Sequence, residues 1–576
     1  MNSSRLLILK NQPVLLVIIS YSSVVLVYLS LLFSFNKSLF TNLKSTYGLS
    51  DTDTEGTLWW LWNQSQSSQI SNISGGNIFD TSQFTFWNLF DFVRIFSVGN
   101  FGVENLFLIS NVSLLISFSL NGIAAFAFSK LLFKGNLIPA CLGSIFVFTS
   151  INLLSLRTSL SNNFLFFGLL LLRTFLSDFM NKKKRNTYLV IALSVFTALS
   201  STYLAANIIL ITFVFILVVY SSTTVDIKRR LIINFLLTCL ASLITTLIIY
   251  RDQIFLIGRS QQASEIRPLN AVGELVSSQV TISNKFQAPS GFLSLTIVVI
   301  LLLATYLSFG RLKLTHQTLL SLGVLISGLV TQFIGYNFWV LGPIHDLYFN
   351  LFPQLRGISN YSKFGQFLIA VGAVSLIYTY RPKLLNAKVN FVFFCAAIAI
   401  LSAYQSIPAD PSFTARTDTR VLKSKYLSYF ETQQNSLVFD YPDKLTNDQW
   451  GFPLGYIQLG QIFHKQILLN GVDYNQHKAG CISTNRLNPT NIIEWVERNH
   501  GNFIILRTRL IPKEELNEVR SILSQRNWQL EYESKVQAEV PTTSFELSKT
   551  FEVYKNQMSM PLSSKYVCNY NVGDSK

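Results

Sequence analysis

Residues Pro13–Phe35 read PVLLVIISYSSVVLVYLSLLFSF, a run of 23 residues without a charged side chain. A helix of about 20 apolar residues is long enough to cross the hydrocarbon core of a bilayer. No small-residue cleavage site follows the run, and the run is longer than the core of a signal peptide. We therefore predict a retained membrane-spanning helix near the start of the chain.

The same pattern recurs along the first 407 residues. The chain of 576 residues is 49% hydrophobic and 14% aromatic, with a mean hydropathy of +0.36, which exceeds what one soluble core of this length needs. Ten further apolar runs follow: Leu106–Phe133, Leu137–Leu154, Leu160–Met180, Tyr188–Ser201, Tyr203–Tyr220, Leu231–Tyr250, Gly291–Gly310, Gln317–Trp339, Phe364–Tyr380 and Val389–Ile407. The sequence thus predicts a mainly α, polytopic membrane protein with about 11 transmembrane helices.

Lys and Arg residues are distributed unevenly between alternate connections of these spans. Sixteen lie in one set of short connections, beginning with Arg5 and Lys10, and ten are spread over the much longer opposite set. The positive-inside rule then places the N-terminus in the cytoplasm. The long outer segments are residues 36–105, 251–290 and 340–363, and residues 408–576 follow as an extracytoplasmic domain.

The net charge of +16 is concentrated in the membrane part. Up to residue 407 there are 27 basic and 12 acidic residues, and beyond it 19 basic and 18 acidic residues. Membrane topology and attraction to anionic headgroups explain this asymmetry, so we expect membrane lipids and no nucleic acid as partners. Cys481 and Cys568 share the outer domain, where a disulfide is permitted but not required.

Residues 408–576 have the composition of a soluble α/β domain. Short apolar runs predict strands at Leu437–Phe439, Phe503–Leu506, Trp528–Tyr532, Ser544–Leu547 and Phe551–Tyr554. Helices are predicted at Pro489–Asn499, with Asn488 as its cap, and at Pro512–Arg526.

Acidic residues cluster in the first outer segment. Six of the 12 acids in residues 1–407 lie there, and Asp51, Asp53 and Glu55 come just before three tryptophans. Such a group near the end of a span favours chemistry at the membrane surface, with a solvated loop as the alternative. Later in the same segment, Phe84–Phe96 fits either an amphipathic helix in the interface or a loop packed on neighbouring helices.

Two stretches carry a resemblance to a known family. Leu49–Asn63 reads LSDTDTEGTLWWLWN and resembles the first outer loop of GT-C superfamily glycosyltransferases. Leu351–Phe364 reads LFPQLRGISNYSKF and is similar to a pattern before a late span in the bacterial integral-membrane branch of that superfamily. The resemblance implies an enzyme that transfers a sugar from a polyprenyl-phosphate donor to a lipid-linked glycan, a cell-surface polymer or a protein.

The resemblance also suggests roles for the acids and one arginine. Asp53, six positions before Trp59, matches the base that takes the acceptor's proton, with Asp51 in reserve and Glu55 shaping the local field. Arg356 matches the contact to the departing phosphate.

Other candidates have simpler alternatives. Arg251, Arg259 and Arg267 are rival phosphate contacts or headgroup anchors. Trp59, Trp60 and Trp62 either stack on sugar or isoprenoid or belong to the interfacial aromatic belt. His345, beside Asp346, is either a site residue or a surface histidine.

We expect no cofactor, and no metal ligands are assigned. Asp51 and Asp53 are spaced to share a divalent cation, but a monophosphate donor leaves little charge to neutralise. A transporter or lipid flippase is the alternative function, although the spans carry few charges and no central proline. A non-catalytic membrane scaffold is the third possibility, because fold alone does not prove function.

Overall fold

The structure is a computed structural model, and it describes part of the chain. The described residues are 17–30, 33, 40–47, 58, 61–62, 89–133, 135, 140–141, 143–144, 164–180, 187–220, 222–249, 315–334, 346–347, 350, 361–384, 417–418, 429–430, 432–433, 436–441, 460, 463–464, 466–468, 488–498, 500–534 and 550–558.

The first two thirds of the chain are helical where they are described. The helices are α1 (Val17–Ser30), α2 (Leu89–Phe101), α3 (Leu106–Leu132), α4 (Phe166–Met180), α5 (Thr187–Ser200), α6 (Thr202–Tyr220), α7 (Val225–Ile249), α8 (His316–Ile334) and α9 (Tyr361–Leu384). The prediction of a mainly helical chain is therefore confirmed.

Two of these helices are long and apolar enough to cross a membrane, at Leu106–Leu132 and Val225–Ile248. Five shorter apolar helices or segments are Val17–Ser30, Thr187–Ser200, Leu204–Tyr220, His316–Thr331 and Phe367–Leu376. The predicted spans Gly291–Gly310 and Val389–Ile407, and most of Leu137–Leu154, lie outside the described residues. The count of 11 spans stays a prediction.

Helix α7 begins six residues earlier than predicted, at Val225 rather than Leu231. Asp226 lies in its first turn, where a carboxylate complements the positive end of the helix dipole. The Lys228 ammonium lies 4.3 Å from the centre of the Tyr220 ring on the preceding helix. Lys228, Arg229 and Arg230, which precede the predicted span, therefore lie within the helix, because Lys and Arg are good helix formers and Lys228 has a local partner.

Four helices meet at one end of the bundle, which we call the Leu132 end. The Leu132 carbonyl, on the last turn of α3, accepts hydrogen bonds from Gln317 of α8 and from Ser375 of α9, the latter at 3.2 Å. Nearby, the Phe179 ring on α4 stacks on His316, with centroids 4.4 Å apart. These contacts satisfy a helix-end carbonyl that has no partner within its own helix.

The C-terminal part is a five-stranded sheet with two helices. In chain order its elements are β3 (Leu437–Tyr441), β4 (Ile467–Leu468), α10 (Pro489–Arg498), β5 (Phe503–Leu506), α11 (Lys513–Gln525), β6 (Trp528–Ser534) and β7 (Phe551–Asn556). The strand order is β4-β3-β5-β7-β6, with β3 parallel to β4 and β5 and with β7 antiparallel to β5 and β6. A further two-stranded pair joins β1 (Thr46–Tyr47) to β2 (Thr417–Asp418).

The helices cover one face of this sheet. Phe439 of β3 and Ile504 of β5 pack into one core with Ile493 of α10 and with Val519 and Leu523 of α11. All residues of β3 and β5 are buried, as expected of strands inside a sheet.

The predicted α/β elements are largely confirmed. The Asn488 side chain accepts a hydrogen bond from the Asn491 backbone N–H at 2.9 Å, as expected of a helix cap. The predicted strand at Ser544–Leu547 lies outside the described residues. The boundary at residue 407 also stays a prediction.

Candidate functional site at the junction of helices and sheet

Most predicted site residues lie outside the described part of the chain. These are Asp51, Asp53, Glu55, Trp59, Trp60, Arg251, Arg259, Arg267, His345 and Arg356. Their roles stay predictions. Asp346, the neighbour of His345, is exposed.

Trp62 is the one predicted site residue whose side chain is described. It is only 1% exposed, and Leu58 and Leu61 beside it are also buried. A ring that stacks on a ligand or sits in an interfacial belt must present a face outside the protein. In this conformation Trp62 instead packs within the protein, and its role toward a substrate stays a prediction.

The chain just before the acid-rich segment is held at two points. Asn111, in the second turn of α3, donates its side-chain N–H to the Leu43 carbonyl at 2.8 Å. Strand β1 then pairs antiparallel with β2, with Thr46 opposite Asp418. Two segments that lie far apart in the sequence therefore meet near the start of a long apolar helix.

An aromatic stack joins the same helix to the C-terminal part. The rings of Phe107 and Phe463 lie nearly parallel, with centroids 6.1 Å apart and an interplanar angle of 13°. Both side chains are buried. We call the start of α3, with its contacts to residues 43–47 and to Phe463, the junction.

Helix α2 leads into the junction and differs from the predicted Phe84–Phe96. It continues to Phe101, and the Asn100 side chain donates to the Phe96 carbonyl at 2.7 Å. The helix ends at Gly102, which has a φ of +89° and donates its N–H to the Val98 carbonyl at 3.0 Å. A positive φ is readily adopted only by glycine, so this residue fixes the turn into α3.

Arg94 is the functional candidate on α2 that sequence reasoning missed as a site residue. Its side chain is 2% exposed, and burial lowers the pKa of the guanidinium to about 9. The group therefore remains charged at neutral pH inside the protein, although a buried charge is costly. A fixed guanidinium in the outer segment that also holds the acids can stabilise an anion. The sequence signal that could have marked Arg94 as a candidate is its position as a single arginine between Phe92 and Phe96.

A second group of buried ionisable side chains lies within the C-terminal sheet. Arg507 donates to both carboxylate oxygens of Asp440, from Nε at 2.7 Å and from Nη2 at 2.5 Å. The two side chains are 2% and 0% exposed. Because the two paired hydrogen bonds are buried, this pair holds strand β3 to the residue that follows β5.

His464 is the third member of that group. Its Nδ1 accepts the Gln466 backbone N–H at 3.0 Å. Burial, and then the positive charge of Arg507, lower its pKa to about 3, so the imidazole is neutral. Its ring also lies 5.4 Å from that of Phe430. A neutral, packed imidazole of this kind supports the core and does not act as a base at neutral pH.

A metal site is not found in the described ranges. Among those residues, no group of three or more His, Cys, Asp or Glu side chains is placed to hold a metal ion. The pair Asp51 and Asp53, which is spaced to share a cation, lies outside them.

Comparisons with protein-family models and with curated proteins find no match. Among solved structures, the chain is similar to the crystal structure of the apo form of the Archaeoglobus fulgidus oligosaccharyltransferase, with a TM-score of 0.45 and 13% sequence identity over 84% of this chain and 69% of that one.

Proposed function

We propose that the chain is a membrane glycosyltransferase that moves a sugar from a polyprenyl-phosphate donor to an acceptor on the outer face of the cell membrane. The acceptor is a lipid-linked glycan, a cell-surface polymer or a protein. The proposal rests on the resemblance of the two outer segments and on the apolar helices that carry them.

The junction is the observation that carries this proposal. Asp51 follows Tyr47, the last residue of β1, by only four positions. An extended chain of that length spans at most roughly 14 Å. The segment that leads into the acids is anchored to α3 through Asn111 and to the C-terminal part through β2. This arrangement supports a reaction at the membrane surface with the C-terminal domain close by.

In the proposed reaction, Asp53 takes the proton of the acceptor group while that group attacks the anomeric carbon of the sugar. The bond between that carbon and the phosphate oxygen breaks, and the polyprenyl phosphate leaves with the electron pair. Arg356 neutralises the charge that develops on the departing phosphate. Asp51 is the reserve base, and Arg251, Arg259 and Arg267 are the rival phosphate contacts.

The test is consumption of a panel of radiolabelled polyprenyl-phosphate sugars by the purified protein in detergent. Asp53→Asn should lower turnover by about 10²-fold or more, as is typical when a general base is removed. Arg356→Ala should lower it by a similar factor. Asp80→Asn, an acid of the same outer segment away from the acid-rich run, is the matched control and should leave turnover unchanged.

Folding of each variant is checked by its thermal unfolding midpoint. Full activity in a folded Asp53→Asn protein would mean that Asp53 is not the base. Turnover by Asp51→Asn would then be compared with that of the wild type. Turnover that persists in EDTA supports the metal-free prediction. Turnover that is lost in EDTA and restored by Mg²⁺ would mean that the reaction needs a divalent cation, for which Asp51 and Asp53 are the candidate ligands.

A transporter or flippase is the second candidate because of one buried polar contact between apolar helices. Asn234 of α7 donates to the Asp178 carboxylate of α4 at 2.5 Å, and both side chains are buried. Ionisable residues at such positions are common in transport pathways. If no donor sugar is consumed and Asp178→Asn abolishes the movement of lipid or substrate in vesicles, the transport function replaces glycosyl transfer. If the protein neither consumes a donor sugar nor moves lipid or substrate, the scaffold hypothesis gains support.

A further inference from the structure

Arg173 is a charged residue in the apolar helix α4, whose sequence is FFGLLLLRTFLSDFM. Its side chain is partly buried, and its Nε donates to the Ala127 carbonyl of α3 at 3.2 Å. An arginine in such a helix is costly in a membrane unless it finds polar or charged partners. The remaining guanidinium N–H groups therefore need a partner.

The protein provides no carboxylate for this guanidinium within the described ranges. No ion pair of Arg173 is found there, and its one hydrogen bond is to Ala127. Asp178, the only acid on α4, lies five residues further along, which is about 140° around the helix. Its carboxylate is engaged by Asn234 on the other side of α4. The Arg173 guanidinium thus points toward α3.

Two other polar side chains lie on α3 or on a helix that contacts this part of α3. The Tyr21 ring of α1 packs edge-on against Phe126, the neighbour of Ala127, with centroids 4.7 Å apart. Tyr21 also lies within electrostatic range of Arg173. Lys130, one turn after Ala127, is partly exposed in the last turn of α3. The three side chains come from three helices that meet at the turn of α3 around Phe126 and Ala127.

Helix α1, which carries Tyr21, has an exposed apolar surface. On α1, Ile18 is 55% exposed and Leu26 is 64% exposed. Ala127 lies five residues before the end of α3, or roughly 7.5 Å along the helix axis. That distance is close to the thickness of the polar headgroup region on one side of a bilayer.

We propose that Arg173, Lys130 and Tyr21 form a binding site for the phosphate of an anionic phospholipid. The guanidinium and the ammonium neutralise the phosphate and headgroup charge, and the acyl chains lie along the exposed apolar surface of α1. Membrane phospholipid is the occupant, rather than free phosphate, because Arg173 contacts Ala127 one turn from Lys130 and interacts with Tyr21 on a helix with exposed apolar side chains. This site is independent of the proposed glycosyl transfer.

The test is native mass spectrometry of the full chain in detergent with added phosphatidylglycerol, phosphatidylcholine or inorganic phosphate. The wild type should retain phosphatidylglycerol in preference to phosphatidylcholine. Arg173→Gln should lower that occupancy by about fivefold, as expected for one cation near a membrane surface. Arg229→Gln, an exposed arginine in the first turns of α7, is the matched control and should retain the lipid.

Any one of the following outcomes would overturn the proposal. Equal loss of lipid in Arg229→Gln would mean diffuse attraction to the basic end of the bundle. Equal retention of phosphatidylcholine would mean that charge does not select the lipid, and saturation by inorganic phosphate at the same concentration would mean a free-anion site. If Arg173→Gln is not recovered in a folded state, Lys130→Gln at the end of α3 is the variant that tests the site. A two- to fivefold loss of bound phosphatidylglycerol in Lys130→Gln would support the site. Unchanged phosphatidylglycerol occupancy would overturn it.

Discussion

Phe107 stacks on Phe463, a residue of the C-terminal part of the chain, with ring centroids 6.1 Å apart. Phe107 lies in the first turn of α3, and Phe463 lies just before β4. Near-parallel buried rings contribute about 0.5–1.5 kcal/mol beyond the area they remove from solvent. The contact therefore helps to fix the C-terminal part to the start of a candidate membrane helix.

The pairing of β1 with β2 makes the same junction testable by cross-linking. Thr46 and Asp418 are directly opposite in an antiparallel pair, where Cα atoms lie about 4.5–5.5 Å apart. This separation is within the range that a disulfide bridges. We expect Thr46→Cys with Asp418→Cys, in a background without the native cysteines, to form a disulfide that is seen as a shift on non-reducing gels.

Lys44→Cys with Asp418→Cys is the control for that cross-link, because Lys44 is two residues out of register. Cross-linking of the control pair to the same extent would show that the segments collide at random rather than pair. If the disulfide forms and the proposed transfer activity persists, the C-terminal domain works from the observed position.

The Asp440–Arg507 pair predicts an asymmetric response to mutation. Both side chains are buried, so Asp440→Asn or Arg507→Met alone leaves a buried group without its charge partner. Each should lower the free energy of unfolding by about 3–5 kcal/mol. Asp440→Leu with Arg507→Met should recover much of that loss, because two apolar side chains replace the pair. Denaturant titration of tryptophan fluorescence measures the changes.

The exposed pair Glu494–Arg498 is the control for this cycle. Its atoms are 3.7 Å apart, and the arginine side chain is 78% exposed. Arg498→Gln should change the free energy of unfolding by less than about 1 kcal/mol. A double variant of Asp440 and Arg507 no more stable than the single variants would contradict our account of the buried pair.

Regular elements of the C-terminal domain could be predicted because their signals are local. The apolar run Phe503–Leu506 is continuous in the chain, and so is the Asn488 cap with Pro489. The strands Thr46–Tyr47 and Ile467–Leu468 were missed because two residues have no periodicity. Each forms only because a partner elsewhere in the chain supplies its hydrogen bonds.

The buried arginines could not be recognised for a related reason. The sequence places Arg94 and Arg507 beside apolar residues, but burial depends on which distant segments pack over them. Asp440 lies 67 residues from Arg507 and is its partner only in the folded sheet. The burial of Trp62 was missed for the same reason: the sequence predicts a contact with a substrate or with the membrane interface, and the folded protein encloses the side chain.

His464 predicts a loss of stability in acid. Its pKa is lowered from 6.5 to about 3 in the folded protein by burial and by Arg507. Between these values the unfolded chain binds more protons, so the stabilising effect of the neutral imidazole is complete above pH 6.5 and declines as the pH falls toward 3. The slope of this decline approaches about 1.4 kcal/mol per pH unit. Thermal midpoints from pH 7 to 4 should therefore fall.

His464→Gln should flatten that dependence, because the variant has no imidazole to protonate. His500→Asn is the control, since His500 is exposed and has a φ of +57°, a conformation that asparagine tolerates. Equal slopes for wild type and His464→Gln would mean that other groups govern acid unfolding.

The contact between α8 and α9 predicts opposite effects of two glycine substitutions. A Cβ at Gly372 would lie 2.7 Å from the Leu325 nitrogen and 2.9 Å from its Cα, so α8 would have to move. Gly372→Ala should destabilise the protein by about 1–3 kcal/mol.

A Cβ at Gly122, inside α3, would meet nothing within 4 Å. Gly122→Ala should therefore stabilise the helix by about 0.5–1 kcal/mol. Thermal unfolding of both variants in detergent measures the difference, and a Gly372→Ala protein as stable as the wild type would mean that these helices pack less closely than described.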